Sequence, residues 1–184
     1  MSEKLGSIGT CFWVPTVRDY SDSNFFNPDM ASNTCGIGIW RNDRFVWDFL
    51  PDNIDAPDVV VPGRAAWVWT LRWPMGTDEV IQSCGGATAL EVDLSLVWRV
   101  IVAVQRGMAL PELADGKMNV SFVRNLEGEA RIIFYRWNNR VREWDVGALE
   151  RDNYDIVPWE AGTRVISENA PRLTFSVSDK SVTA

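Results

Sequence analysis

Leu90-Glu-Val-Asp-Leu-Ser-Leu-Val-Trp-Arg-Val-Ile-Val-Ala-Val104 carries an apolar residue at every even position, while its odd positions read Glu91, Asp93, Ser95, Val97, Arg99, Ile101 and Ala103. That is a period of two, and it predicts one long β-strand. The even face should lie against a core, and Val97, Ile101 and Ala103 predict that the later half is covered on its second face as well. A strand buried on both faces belongs at the centre of a sheet or between two packed layers.

Working outward from this run, the chain reads as a series of strands separated by turn chemistry. Gly36–Trp40 and Phe45–Leu50 flank Arg41-Asn-Asp-Arg44 and predict a β-hairpin. Ala65–Trp73 is the next strand, with Trp67, Trp69, Leu71 and Trp73 on one face; these form either a thick core layer or a stacking platform. Pro74–Ala89 is read as a loop whose Cys84-Gly-Gly86 is no phosphate cradle. Leu110–Ala114 is the one candidate helical turn. Met118–Arg124 and Ala130–Trp137 flank Asn125–Glu129, and the tight turn Asn138-Asn-Arg140 leads into a strand from Val141 to Val146. Tyr154–Trp159 and Leu173–Val177 close the series, and residues 1 to 36 form an irregular lead-in apart from a short strand at Thr10–Val14. The motif φ-Val-Trp-x recurs at residues 45–48, 67–70 and 96–99 with unequal gaps, which reads as repeated strand chemistry and not as a true repeat. The expectation is a single all-β domain over residues 1–184, an antiparallel β-sandwich or jelly roll of about eight strands with little helix.

Composition narrows the chemistry. The chain has no histidine, which removes Ser-His-Asp and Cys-His catalysis, His-ligated zinc or iron, and imidazole acid–base work. Carboxylate-only glycoside hydrolysis survives that exclusion, with Glu143 and Asp145 on one strand face about 7 Å apart as its candidate pair. A net charge of −7 and a lead-in with only Lys4 and Arg18 predict no nucleic-acid binding through this chain. No stretch approaches the roughly eighteen apolar residues of a membrane span, and the first residues lack a signal-peptide pattern, so a soluble, cytoplasmic or virion-surface protein is expected. Cys11, Cys35 and Cys84 have no metal-site spacing and read as free buried thiols, with a Cys11–Cys35 bridge as the alternative.

Ten tryptophans are more than one core of this size absorbs, so some should reach the surface. Trp137, Trp144 and Trp159, near turns rich in Asn and acid, are the first candidates for a ligand or an interface. Phe25 and Phe26 in the loop Tyr20–Asp29 either tuck beneath it or stand exposed as contact residues. Asp52, Asp55 and Asp58 in a proline-punctuated loop could hold Ca²⁺, but their spacing is not that of an EF-hand loop and turn geometry is the favoured reading. Arg131, Arg136, Arg140, Arg142, Glu143, Asp145, Glu150 and Arg151 form the richest polar cluster, read as cross-strand pairs on a solvated face.

The hairpin series 36–50, 65–73, 90–104 and 118–146, with the Asp52-x-x-Asp55 loop, resembles in architecture the coat protein or projecting domain of small icosahedral RNA viruses. The resemblance implies a non-enzymatic protein that forms a homo-oligomer and contacts a host receptor. The missing basic arm departs from a complete RNA-packaging coat protein and points to the projecting type. The alternative is a lectin-like carbohydrate-binding module that stacks sugars on surface tryptophan. It would show a shallow pocket with tryptophan flanked by Asn, Asp or Arg, whereas an assembly domain would show a sizeable apolar patch.

Overall fold

A computed structural model describes residues 9–20, 25–28, 36–50, 59–149 and 158–168. Its centre is a mixed eight-stranded sheet. Strands β1 (Thr10–Val14), β3 (Ile39–Arg41), β5 (Arg64–Thr70), β7 (Asn119–Arg124), β8 (Ala130–Asn138), β9 (Glu143–Ala148) and β10 (Arg164–Ser167) run in the order β1-β5-β10-β7-β8-β9-β3, and β6 (Glu91–Val92) pairs with β7 beside this path. The β10–β7, β6–β7 and β3–β9 pairings are parallel and the others antiparallel. A separate two-stranded ribbon joins β2 (Val17–Tyr20) to β4 (Val59–Val61). The fold is sheet-dominated, as the strand count predicted, but it is not purely antiparallel.

The stretch Leu90–Val104 is not a long strand. Only Glu91–Val92 pairs in the sheet, and Leu94–Gln105 forms the longest helix among the described residues, α4. Asp93 caps it, its Oδ1 accepting from Leu96 N at 2.9 Å. Every residue from Leu94 to Ala103 is buried, so the helix has no polar face to reveal its period. Wrapped on all sides, a helix satisfies its own backbone where a strand would need two hydrogen-bonding neighbours. Trp98 is its anchor, fully buried with edge-on contacts to Phe25 at 5.1 Å and Phe26 at 5.6 Å between ring centroids.

Two other expectations change in the same direction. Phe45–Leu50 is not the second arm of a hairpin: Asp43–Phe49 is helix α1, because Asn42 is an N-cap whose Oδ1 accepts from Phe45 N at 2.8 Å. The segment read as a loop after Pro74 holds helices α2 (Thr77–Ser83) and α3 (Ala87–Leu90), packed with Trp69, Leu71 and Met75 on the opposite side of the sheet from α4. The turn at Leu110–Ala114 is present as the 3-10 helix Pro111–Ala114, and the hairpins β7–β8 and β8–β9 stand where their turn residues placed them. The closing strand at 173–177 and most of 154–159 lie outside the described residues, while β10 was not anticipated. No helix of the described residues is long and apolar enough to cross a membrane.

Candidate functional site

At one end of the sheet, β8, β9 and β3 lie side by side, and their register lines up three rows of side chains on the face away from α4. Trp40, Asp145 and Arg136 share one row. Arg136 Nε donates to Asp145 Oδ2 at 3.1 Å, and Asn138 Nδ2 approaches the same oxygen at 3.3 Å. The next row is closed by Gly147, where a Cβ would stand 2.3 Å from Phe134 Cζ and 2.9 Å from Asn42 Nδ2. The Asn42 carboxamide pairs with both backbone groups of Ala148, accepting from its N at 3.1 Å and donating to its O at 3.0 Å, so it extends the β3–β9 ladder by one side-chain rung.

Around the strand ends runs a groove of about 360 Å³, within the usual range of ligand pockets. Trp137, Ile37 and Val141 supply its apolar part, and Gln105 from the end of α4, Arg142 and Glu143 its polar part. Gly36 and Gly38 leave their side of the groove without side chains; at Gly38 a Cβ would meet Glu143 Cγ at 2.6 Å. Trp137 is half-buried and rests edge-on against the fully buried Trp144, ring centroids 5.8 Å apart. The side chains of Gln105, Arg142 and Glu143 make no hydrogen bond or ion pair with any described residue, and Arg142 and Glu143 do not pair with each other. Arg142 is also the one non-glycine residue with positive φ among the described residues, at 60°.

A second groove, of about 410 Å³, lies over the start of α4 and is lined by Glu91, Asp93, Arg124 and Glu168. Its charges are already spent on each other. Arg124 pairs with Glu91 at 2.8 Å, and Arg64 pairs with both Asp93 and Glu168. Burial pushes the Glu168 carboxyl above its ordinary range. The Asp93 carboxyl is raised by burial too, but bonds from Ser95, Arg64 and the Leu96 backbone outweigh this and hold it low. This groove reads as a clamp joining β5, β10 and α4, and the first groove, where exposed Gln105 and Arg142 stand beside a half-buried indole, is the better candidate for a ligand site.

The structure separates the sequence candidates. Trp137 lines the first groove; Trp144, fully buried, supports it from beneath. Trp159 lies elsewhere, in the layer with α2, with Nε1 donating to Thr77 Oγ1 at 3.2 Å. Phe25 and Phe26 are core residues around Trp98, so they offer no contact surface. Asp52, Asp55 and Asp58 fall outside the described residues. Of the proposed carboxylate pair, Asp145 is held by Arg136 and Asn138 while Glu143 lines the groove. Sequence reasoning missed the exposed Trp13, Trp40 and Trp47, and of the face read as core layer or stacking platform Trp73 is exposed while Trp69 is buried. For Trp40 the signal was present: Ile37 and Ile39 point inward, so Gly38 and Trp40 must face out. Compared with protein-family models, curated proteins and solved structures, the chain matches none.

Proposed function

We propose that the protein is a non-enzymatic carbohydrate-binding module whose sugar lies in the groove beside Trp137. The observation that carries this reading is the half-buried indole of Trp137 among three uncommitted polar side chains, Gln105, Arg142 and Glu143. A pyranose has an apolar face that packs on an indole and hydroxyls that need donors and acceptors at its edge. Gln105 offers both, Glu143 accepts, and Arg142 donates. A glycan array followed by calorimetry on the hits tests this. Trp137→Ala should abolish binding while circular dichroism stays unchanged, and an array with no hits overturns the reading.

Self-association, as the resemblance to a coat or projecting domain implies, is the second reading. It is favoured by the exposed tryptophan at each end of the sheet path, Trp13 on β1 and Trp40 on β3, with Trp47 further exposed on the adjoining α1. Strand edges flanked by indoles suit edge-to-edge docking of copies. Light scattering on a sizing column over a range of concentrations decides it: a closed dimer or trimer supports assembly, and a strict monomer removes it.

A further inference from the structure

We infer that the groove selects acidic sugars, with the Arg142 guanidinium receiving the sugar carboxylate. This rests on the carbohydrate reading and deepens it. The first observation is electrostatic. In a chain of net charge −7, the β8–β9 hairpin concentrates Arg136, Arg140 and Arg142 against Glu143 and Asp145. Arg136 and Asp145 neutralise each other at 3.1 Å, and the charged residues that line the groove are Arg142 and Glu143. Among the residues that line the groove, Arg142 supplies the positive charge, and a guanidinium there can draw an anionic group.

The second observation is conformational. Arg142 follows the turn at φ 60°, with its N–H donating to Asn138 O at 2.8 Å. Left-handed backbone is unfavourable for an ordinary L-residue, a cost that glycine or asparagine largely avoids. The position nevertheless holds arginine, whose side chain lines the groove without an ion-pair partner among the described residues. Strain retained at a groove wall fits a side chain kept for what it binds. A guanidinium offers a planar fork of donors that matches a carboxylate in two parallel bonds, while Trp137 takes the ring face and Gln105 and Glu143 take hydroxyls.

The test uses the intact chain and matched pairs of oligosaccharides, uronate-containing and neutral, with a sulfated oligosaccharide of the same length as a third arm. Calorimetry should show the uronate binding at least tenfold more tightly than its neutral partner, by a margin that shrinks with added salt. Arg142→Gln should erase the margin, lowering uronate affinity far more than neutral-sugar affinity. Arg142→Gly removes the same charge while relieving the backbone, so it guards against loss of folding. Arg142→Lys should keep only part of the margin. Equal affinity for uronate and neutral sugar, a margin that survives in the Gln and Gly variants, or stronger binding of the sulfated sugar than of the uronate would overturn the selection of carboxylates while leaving carbohydrate binding intact. Binding of none of the three would overturn both readings.

Discussion

Asn42 is the residue on which the geometry of the site is most exposed to test. Its carboxamide makes three hydrogen bonds: it caps α1 through Phe45 N at 2.8 Å and holds Ala148 N and O at 3.1 and 3.0 Å. Replacing it with alanine removes the cap, a loss of about 1 kcal/mol. It also strips two partners from Ala148, which is only 3% exposed, and each lost bond is worth about 1 kcal/mol net. The expected loss is therefore about 3 kcal/mol, close to two orders of magnitude in the unfolding constant. Urea unfolding followed by tryptophan fluorescence measures it. Asn42→Ser separates the two roles, since a serine hydroxyl still caps the helix but is too short to copy the rung to Ala148; it should recover about 1 kcal/mol of the loss. The same variants should weaken sugar binding, because Gly36, Ile37 and Gly38, which line the groove, lead directly into the short strand that the rung holds down. An Asn42→Ala protein within about 0.5 kcal/mol of the parent, or a serine variant no better than alanine, would refute the double role.

Four further outcomes follow from the packing. Gly147→Ala should destabilise by about 1–3 kcal/mol through the clash with the Phe134 ring, and a simultaneous Phe134→Ala should cost less than the two single changes added together; additivity in chemical unfolding would show that the ring moves freely. Trp98→Ala should cost about 3–5 kcal/mol, read from the same unfolding curves, because it empties the site where Phe25 and Phe26 meet α4. Asp115 accepts two bonds from the buried Arg164, which hold its carboxyl below the ordinary range; its stabilisation is present above the carboxylate range of the unfolded chain and lost as pH falls through the lower folded value. Stability measured against pH should accordingly fall less steeply on the acid side in Asp115→Asn. Burial raises the Cys84 thiol to about 12, so a thiol reagent at neutral pH should label the exposed, free Cys11 in the native protein and reach Cys84 only on unfolding.

What was legible in the chain was what local chemistry decides. Asn125–Glu129 and Asn138–Arg140 placed both late hairpins, because turn residues fix a hairpin's register from within a few positions. Leu94–Gln105 was misread because apolar residues fill its odd positions as well as its even ones, so the alternation also fitted a helix buried all round. Asp93 and Asn42 were read as strand and turn residues when each is a cap. The Val-Trp motif makes the same point: at residues 67–70 it is strand, while at 45–48 and 96–99 it is helix, so tertiary burial chose the conformation. Trp137, a candidate from its place beside a turn, lines the first groove. Gln105 was not a candidate, since it reaches the groove only because α4 ends there, and Arg142 was counted among solvated pairs when its left-handed backbone sets it apart.

The rung from Asn42 to Ala148 spans 106 positions, and β3 pairs in parallel with β9, so β3 finds its partner far along the sequence. A ribosome therefore releases β3, with Trp40 on it, long before its partner exists. Until β9 emerges, that segment is an open edge available to chaperones or to other nascent chains. The groove draws Gly36 and Gly38 from one end of this interval and Trp137, Arg142 and Glu143 from the other, so it is assembled late, once the distant strands have met. A ligand that fits it would thereby act as an inspector of the finished product, binding chains that have completed the sheet and passing over those that have not.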